Sequence, residues 1–282
     1  MGRAAVCSWT RWITLKSCRF TCQKGQDISP IILEDKRLMP IHADSRFPTV
    51  IADRVAEITI AANKANALSI EAVLVLAEHI ERLGRSTEIG AIVLRNEGNS
   101  FCAGADIKEI GGDPSLIGAS NRAWLRLARA CHHCELPVVA AVDGHCIGGG
   151  IVLAASCDVI FLSETSSFSL PQIKKGGWGA GTFLMRLLGP LRIRAVMFTG
   201  RTLSAAEIAA GGQIEAVLPR ADLRDAAFAL AREIAEFPVE AIRVGKASLN
   251  GIELMDLESS YRLEHAATTE LFVTRAAADL RK

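Results

Sequence analysis

Phe101-Cys102-Ala103-Gly104-Ala105-Asp106-Ile107-Lys108-Glu109 and Asp143-Gly144-His145-Cys146-Ile147-Gly148-Gly149-Gly150 are the two stretches on which the reading of this sequence turns. Each follows an apolar strand pattern and precedes a helical one. Each therefore reads as a glycine-bearing strand-to-helix turn that can aim free backbone N–H groups at a ligand. Taken singly, such a turn is a tight connection and nothing more. Two of them converging on one oxygen make an oxyanion hole. Neither the G-x-G-x-x-G dinucleotide fingerprint nor the G-x-x-x-x-G-K-[S/T] phosphate loop occurs.

Working outward, Val50 to Ile60 is rich in β-branched residues and predicts a strand or hairpin. Ile70, Val73, Leu76, Ala77 and Ile80 recur at helical spacing and predict a helix over 69–82, with Ser69 as N-cap and Glu71 in its first turn. Ile92-Val93-Leu94 predicts a short buried strand, and a helical pattern runs from Asn121 to Ala130. Pro137 to Val142 and Val159 to Leu162 read as strands, with an apolar helix over 151–156 between them. Ser204-Ala205-Ala206-Glu207 fits a capping box, with Gly211 past the helix end. Residues 221–281 read as mostly helical, broken at Pro238. Strands alternating with helices predict an α/β fold with an appended helical layer.

Composition narrows the function classes. The 282 residues are 50% hydrophobic and 22% charged, which is globular, and 32 Lys+Arg against 31 Asp+Glu give a net charge of +1. That balance speaks against a nucleic-acid binder. The longest charge-free apolar stretch, Gly144 to Cys157, is too short to span a bilayer. Eight cysteines (Cys7, Cys18, Cys22, Cys102, Cys131, Cys134, Cys146 and Cys157) are too sparse for a disulfide scaffold and predict reduced thiols in an intracellular setting. Residues 1–26 hold no acid and five bases, a transit-peptide composition whose bland alternatives are a disordered extension or a translation start placed upstream of the true one. The expectation is a cytoplasmic protein, or a mitochondrial one if that segment is a targeting signal. Residues 27–48, with Pro30, Pro40 and Pro48, read as a linker or loosely packed arm.

Several motifs in order resemble the crotonase family, the enoyl-CoA hydratase/isomerase superfamily, from about Val50 to Lys282. They are Lys64-Ala65-Asn66-Ala67-Leu68-Ser69, the run at 103–109, Gly148-Gly149-Gly150, Cys157-Asp158, Leu170-Pro171-Gln172 and Thr199-Gly200-Arg201. The resemblance implies a spiral of ββα units over 49–220, a helical region over 221–282, and homotrimers or dimers of trimers. It also implies an acyl-CoA substrate whose thioester enolate is held by two backbone N–H groups, which fall by position on Ala105 and Gly149. Ala105, Asp106, Ile107 and Lys108 are then expected along the thioester and pantetheine path, and Lys64 and Ala67 near the adenine end. No metal or redox cofactor is implied, the coenzyme A being part of the substrate.

The departures from the family pattern bear on the reaction. Family hydratases carry two glutamates where this chain has Val152 and Gln172, and a valine or an amide is no base near neutral pH. Water addition by a glutamate pair is therefore not expected. An inventory of oxyanion hole without base suits decarboxylation of a malonyl-type thioester. Hydrolysis or retro-Claisen cleavage, a hydratase with displaced acids, and a depleted homologue that only binds CoA esters are the alternatives. Gln172 reads either as a hydrogen-bonding group toward substrate or water, or as a satisfied loop amide. His145 is expected to pack against the sheet, Glu109 to be a helical surface carboxylate, Lys174 and Lys175 a solvated pair, and Cys131-His132-His133-Cys134 structural rather than a metal site. Tyr261, the single tyrosine, is expected at a subunit contact.

Overall fold

The computed structural model describes residues 44–254, except 112, 114 and 176. The N-terminal extension to residue 43, Cys7, Cys18, Cys22, Tyr261 and the expected helix beyond 254 lie outside the described residues. In chain order the elements are β1 (Thr49–Ala52), β2 (Val55–Ile60), β3 (Ala67–Leu68), α1 (Ile70–Gly84), β4 (Ala91–Asn96), β5 (Ser100–Cys102), β6 (Gly104–Ala105), α2 (Ile107–Gly111) and α3 (Leu116–His132). Then come β7 (Val138–Val142), β8 (His145–Ile147), α4 (Gly149–Ala154), β9 (Val159–Ser163), β10 (Ser167–Ser169) and a 3₁₀ turn at Pro171–Lys175. The chain continues through α5 (Gly181–Leu188), α6 (Arg192–Thr199), β11 (Leu203–Ser204), α7 (Ala205–Ala209), β12 (Ala216–Leu218), α8 (Arg220–Glu236) and α9 (Val239–Ile252).

Three sheets organise these elements. The largest has the order β1-β2-β4-β7-β9-β12, a second has β11-β10-β8-β5, and β3 pairs with β6. Among the described strands only the β1–β2 and β10–β11 pairs are antiparallel. The expected hairpin at 50–60 turns at Asp53-Arg54, both with positive φ. That is the backbone a two-residue connection needs to match the twist of its strands. One face of the large sheet presents Ile58, Ile60, Leu94, Ala140 and Val142 to a core shared with α1, α3 and α4. The other face, with Val55, Val93, Val139 and Phe161, is covered by Leu223, Ala227, Ala231 and Ala235 of α8.

Local signals held where the physics is local. Ser69 Oγ accepts from Ala72 N, and Ser204 with Glu207 forms the full reciprocal capping box. Pro238 separates α8 from α9 as expected. Three details differ. The helix expected over 121–130 begins at Leu116. The one expected over 151–156 spans Gly149–Ala154. Packing also starts earlier than Thr49. Phe47, in the expected arm, is fully buried, and Arg46 and Pro48 carbonyls accept from Ala61 and Thr59 N. The arm is thus drawn onto β2 by the burial of one aromatic ring.

The last described helix, α9, is tied down by polar side chains. Lys246, 6% exposed, donates to the Cys131 and Leu136 carbonyls and to Asp158 Oδ2, at 3.0, 3.0 and 2.7 Å. Asn250 donates to the His132 carbonyl. These bonds absorb the Cys131–Cys134 segment, and no cluster of metal-ligating side chains is present among the described residues. Cys102, Cys131, Cys134, Cys146 and Cys157 are buried free thiols. No helix among the described residues is long and apolar enough to cross a membrane.

Candidate active site

The two glycine-bearing turns meet. Asp106 N donates to Leu68 O at 2.9 Å, which in the parallel β3–β6 ladder turns the neighbouring Ala105 N–H away from β3. Gly149 is the first residue of α4, so its N–H is one of the first-turn donors without an intrahelical partner. Contact between the turns depends on missing side chains. A Cβ on Gly104 would lie 2.8 Å from Gly149 N, and one on Gly150 2.1 Å from Cys102 O. Gly148 holds φ +54°, a backbone most side chains resist. Cys102 lies beneath the turn with its sulfur 3.4 Å from Gly104 N, and burial pushes its thiol up to about 12. It is a structural thiol, not a nucleophile.

Chain pairing brings the third segment in. Parallel β8 and β10 place Ile147 opposite Ser169, and Gly148 N donates to Ser169 O. The chain then runs through buried Leu170 directly to Gln172. A cavity of about 470 Å³ is lined by Ala105, Gly149, Val152 and Gln172 together with Trp124 of α3 and Phe183 of α5. Its other described walls are apolar or neutral, Ser120 and Asn121 among them, and none of its described lining residues is ionisable. A roomier groove of about 620 Å³ over α1 and α3 is rich in arginine but contains neither glycine turn.

The structure therefore brings Ala105, Gly149 and Gln172 to one cavity and leaves others outside it. Ala67 pairs with Gly104 on the adjoining strand, and Lys64 is exposed in the turn before it. Ile107 and Lys108 are exposed at the start of α2, and Asp106 caps that helix by accepting from Lys108 N at 2.9 Å. Gln172 Nε2 donates to Gly179 O at 3.2 Å, so its amide nitrogen fixes the 177–180 loop. Glu109 accepts from Ile70 N at 2.9 Å and so caps α1 from outside, a tertiary role that a helical surface position does not announce. Lys174 is exposed.

His145 corrects an expectation. It does not pack against the sheet but is exposed, its Nδ1 2.9 Å from Ser167 Oγ, and it is not among the cavity's lining residues. In the three-residue β8 the buried position is Cys146, so strand alternation puts His145 outside. Two residues carry more of the site than the sequence disclosed. Asn66, 1% exposed with φ +49°, donates to Ile60 O and Ser100 O and accepts from Ala62 N, which positions β3 beside β6. Trp124 lies against Gly149: a Cβ there would be 2.5 Å from its Cζ2. The signal for Asn66 was an asparagine between small residues before a cap, and for Trp124 there was none beyond helical periodicity.

A family model described as enoyl-CoA hydratase/isomerase matches residues 51–277. The chain belongs to this family. Among relatives of the family, the (7aS)-7a-methyl-1,5-dioxo-2,3,5,6,7,7a-hexahydro-1H-indene-carboxyl-CoA hydrolase of Mycobacterium tuberculosis is 38% identical over 236 residues, covering 83% of this chain and 93% of that protein. A probable enoyl-CoA hydratase of Rhizobium meliloti is 33% identical, covering 74% and 82%. Among solved structures, human enoyl coenzyme A hydratase domain-containing protein 3 superimposes with a TM-score of 0.78 at 26% identity, covering 83% of this chain and 94% of that one. A family member from Silicibacter pomeroyi gives 0.76 at 28% identity, covering 80% and 99%. The fold is thus the crotonase fold with a helical C-terminal region, and the family acts on CoA thioesters.

Proposed function

We propose that this chain is an acyl-CoA enzyme that cleaves a carbon–carbon bond next to the thioester of a bulky β-keto acyl group by adding water. One observation supports the reading: the cavity is lined by both Ala105 and Gly149, and none of its described lining residues is ionisable. Such a site favours a reaction whose bond breaking itself delivers the enolate, because no base is then needed to remove an α-proton. The hydrolase name of the Mycobacterium tuberculosis relative, which acts on a dioxo bicyclic carboxyl-CoA, supports a keto-substituted cyclic acyl group here. The apolar walls at Val152, Trp124 and Phe183 suit such a ring.

In the proposed step water adds to the keto carbon. The bond from that carbon to the α-carbon then breaks, and its electron pair moves into the thioester as an enolate held by the Ala105 and Gly149 N–H groups. The α-carbon takes up one proton, the former keto carbon becomes a carboxylic acid, and its remaining proton goes to solvent as it ionises. Coenzyme A stays attached. Gln172, its Nε2 engaged by Gly179, offers its side-chain oxygen to orient the water. Donors aimed at a developing oxyanion are worth roughly 3–4 kcal/mol each in transition-state stabilisation. The step draws on no group beyond the chain, water and the acyl-CoA.

Mass spectrometry of purified protein with a panel of acyl-CoA thioesters tests this. A cyclic β-keto thioester should gain one water while retaining coenzyme A. Loss of CO2 from a malonyl-type thioester would replace this reading with decarboxylation, which uses the same enolate. Release of free coenzyme A would make the protein a thioester hydrolase, and binding of every thioester without product would make it a depleted homologue.

A further inference from the structure

Trp124 is 7% exposed, and its ring lies on the Gly149 backbone: a Cβ at Gly149 would be 2.6 Å from Cε2, the carbon that carries the indole nitrogen. Among the described residues that nitrogen has no hydrogen-bond partner. Nor is it one of the sealed, unpartnered side-chain atoms among the described residues, which are Glu57 Oε2, Asn96 Nδ2 and Arg243 Nε. A buried indole N–H normally finds an acceptor. This one is not sealed from solvent, and Trp124 lines the cavity that also holds Ala105, Gly149 and Gln172. Val152, one helical turn into α4, has no polar atom to meet it.

We propose that the Trp124 indole N–H is a third donor of the site, a specificity-determining contact to a second carbonyl oxygen of the acyl group, the keto oxygen β to the thioester. This deepens the reading above and rests on it. The two backbone donors belong to the thioester oxygen, and a donor beside Gly149 reaches a neighbouring oxygen of the same bound group. An acyl chain with no oxygen there leaves the indole unpaired, so the contact discriminates for keto acyl groups by more than their shape.

The test is a cycle of two proteins and two ligands. Binding of a cyclic β-keto acyl-CoA and of its deoxo analogue, with CH2 in place of the carbonyl, is measured by calorimetry for wild type and Trp124→Phe. The proposal expects the substitution to weaken the keto ligand about tenfold more than the deoxo ligand. Equal weakening of both, or of neither, overturns it and leaves Trp124 as packing. A second measurement needs no pocket substitution. In protein labelled with 15N-tryptophan, the Trp124 indole N–H resonance, assigned by elimination with Trp9, Trp12 and Trp178 variants, should move downfield with the keto ligand and stay with the deoxo one. An unmoved resonance overturns the donor role, whereas failure of wild type to bind any acyl-CoA overturns the functional reading itself.

Discussion

Around the cavity the described side chains are apolar or neutral and the proposed donors are the Ala105 and Gly149 N–H groups, whereas beneath α9 a buried lysine pairs with a partly exposed aspartate. Lys246 and Asp158 meet at 2.7 Å, and the lysine also satisfies two main-chain carbonyls. Both regions depend on where hydrogen-bond donors are placed. They differ in what breaks them. At the seam a side chain can be removed. At the cavity the donors are backbone, and only a change of glycine or of the strand beside it reaches them.

The largest expected effect is at the seam. Lys246→Met takes the cation from the partly exposed Asp158 and leaves the Cys131 and Leu136 carbonyls without their donor, and the protein should lose about 3 kcal/mol in denaturant unfolding. Burial holds the Asp158 carboxyl above its ordinary value while Lys246 pulls it back. Because folding then favours its protonated form, this group's contribution to stability falls as pH rises from the usual carboxylate range through the raised folded value. Removing Lys246 raises that value further. The deficit of the variant should therefore be smaller near pH 5 than near pH 8, and a deficit independent of pH would break this half of the comparison.

The cavity comes next. Gly149→Ala sets a methyl 2.5 Å from Trp124, so either the ring or the donor must move. Turnover should fall at least about a hundredfold, as for loss of one oxyanion donor, with the melting temperature much less affected than in Lys246→Met. A smaller effect is expected at Asn66, which joins the two kinds of region as a buried side chain that positions a backbone donor. Asn66→Ala should cost about 2–3 kcal/mol, combining lost hydrogen bonds with a strained positive φ, and Asn66→Gly should recover the backbone part only. The smallest is Ser204→Ala, remote from both regions. It removes the cap of α7 for about 1 kcal/mol in thermal unfolding and should leave turnover unchanged.

Much of this was legible in the sequence, for physical reasons. Caps at Ser69 and Ser204, the break at Pro238 and the alternation of strands with helices are local or periodic signals. The glycine turns were legible because close approach needs glycine, and Gly104, Gly149 and Gly150 each face atoms a Cβ would strike. What stayed hidden is tertiary. His145 depends on the phase of a three-residue strand, Glu109 caps a helix 39 residues away in the chain, and Trp124 reads from its spacing as an ordinary core residue. Phe47 was hidden by the prolines around it.

In the proposed reaction the site stabilises an enolate with backbone donors and has no paired acids at Val152 and Gln172. Steady-state assay of wild-type protein with crotonyl-CoA tests it most directly, read as loss of the conjugated thioester's absorbance. No hydration above the uncatalysed rate is expected, and turnover of crotonyl-CoA to the 3-hydroxy thioester would contradict an enolate site without paired acids.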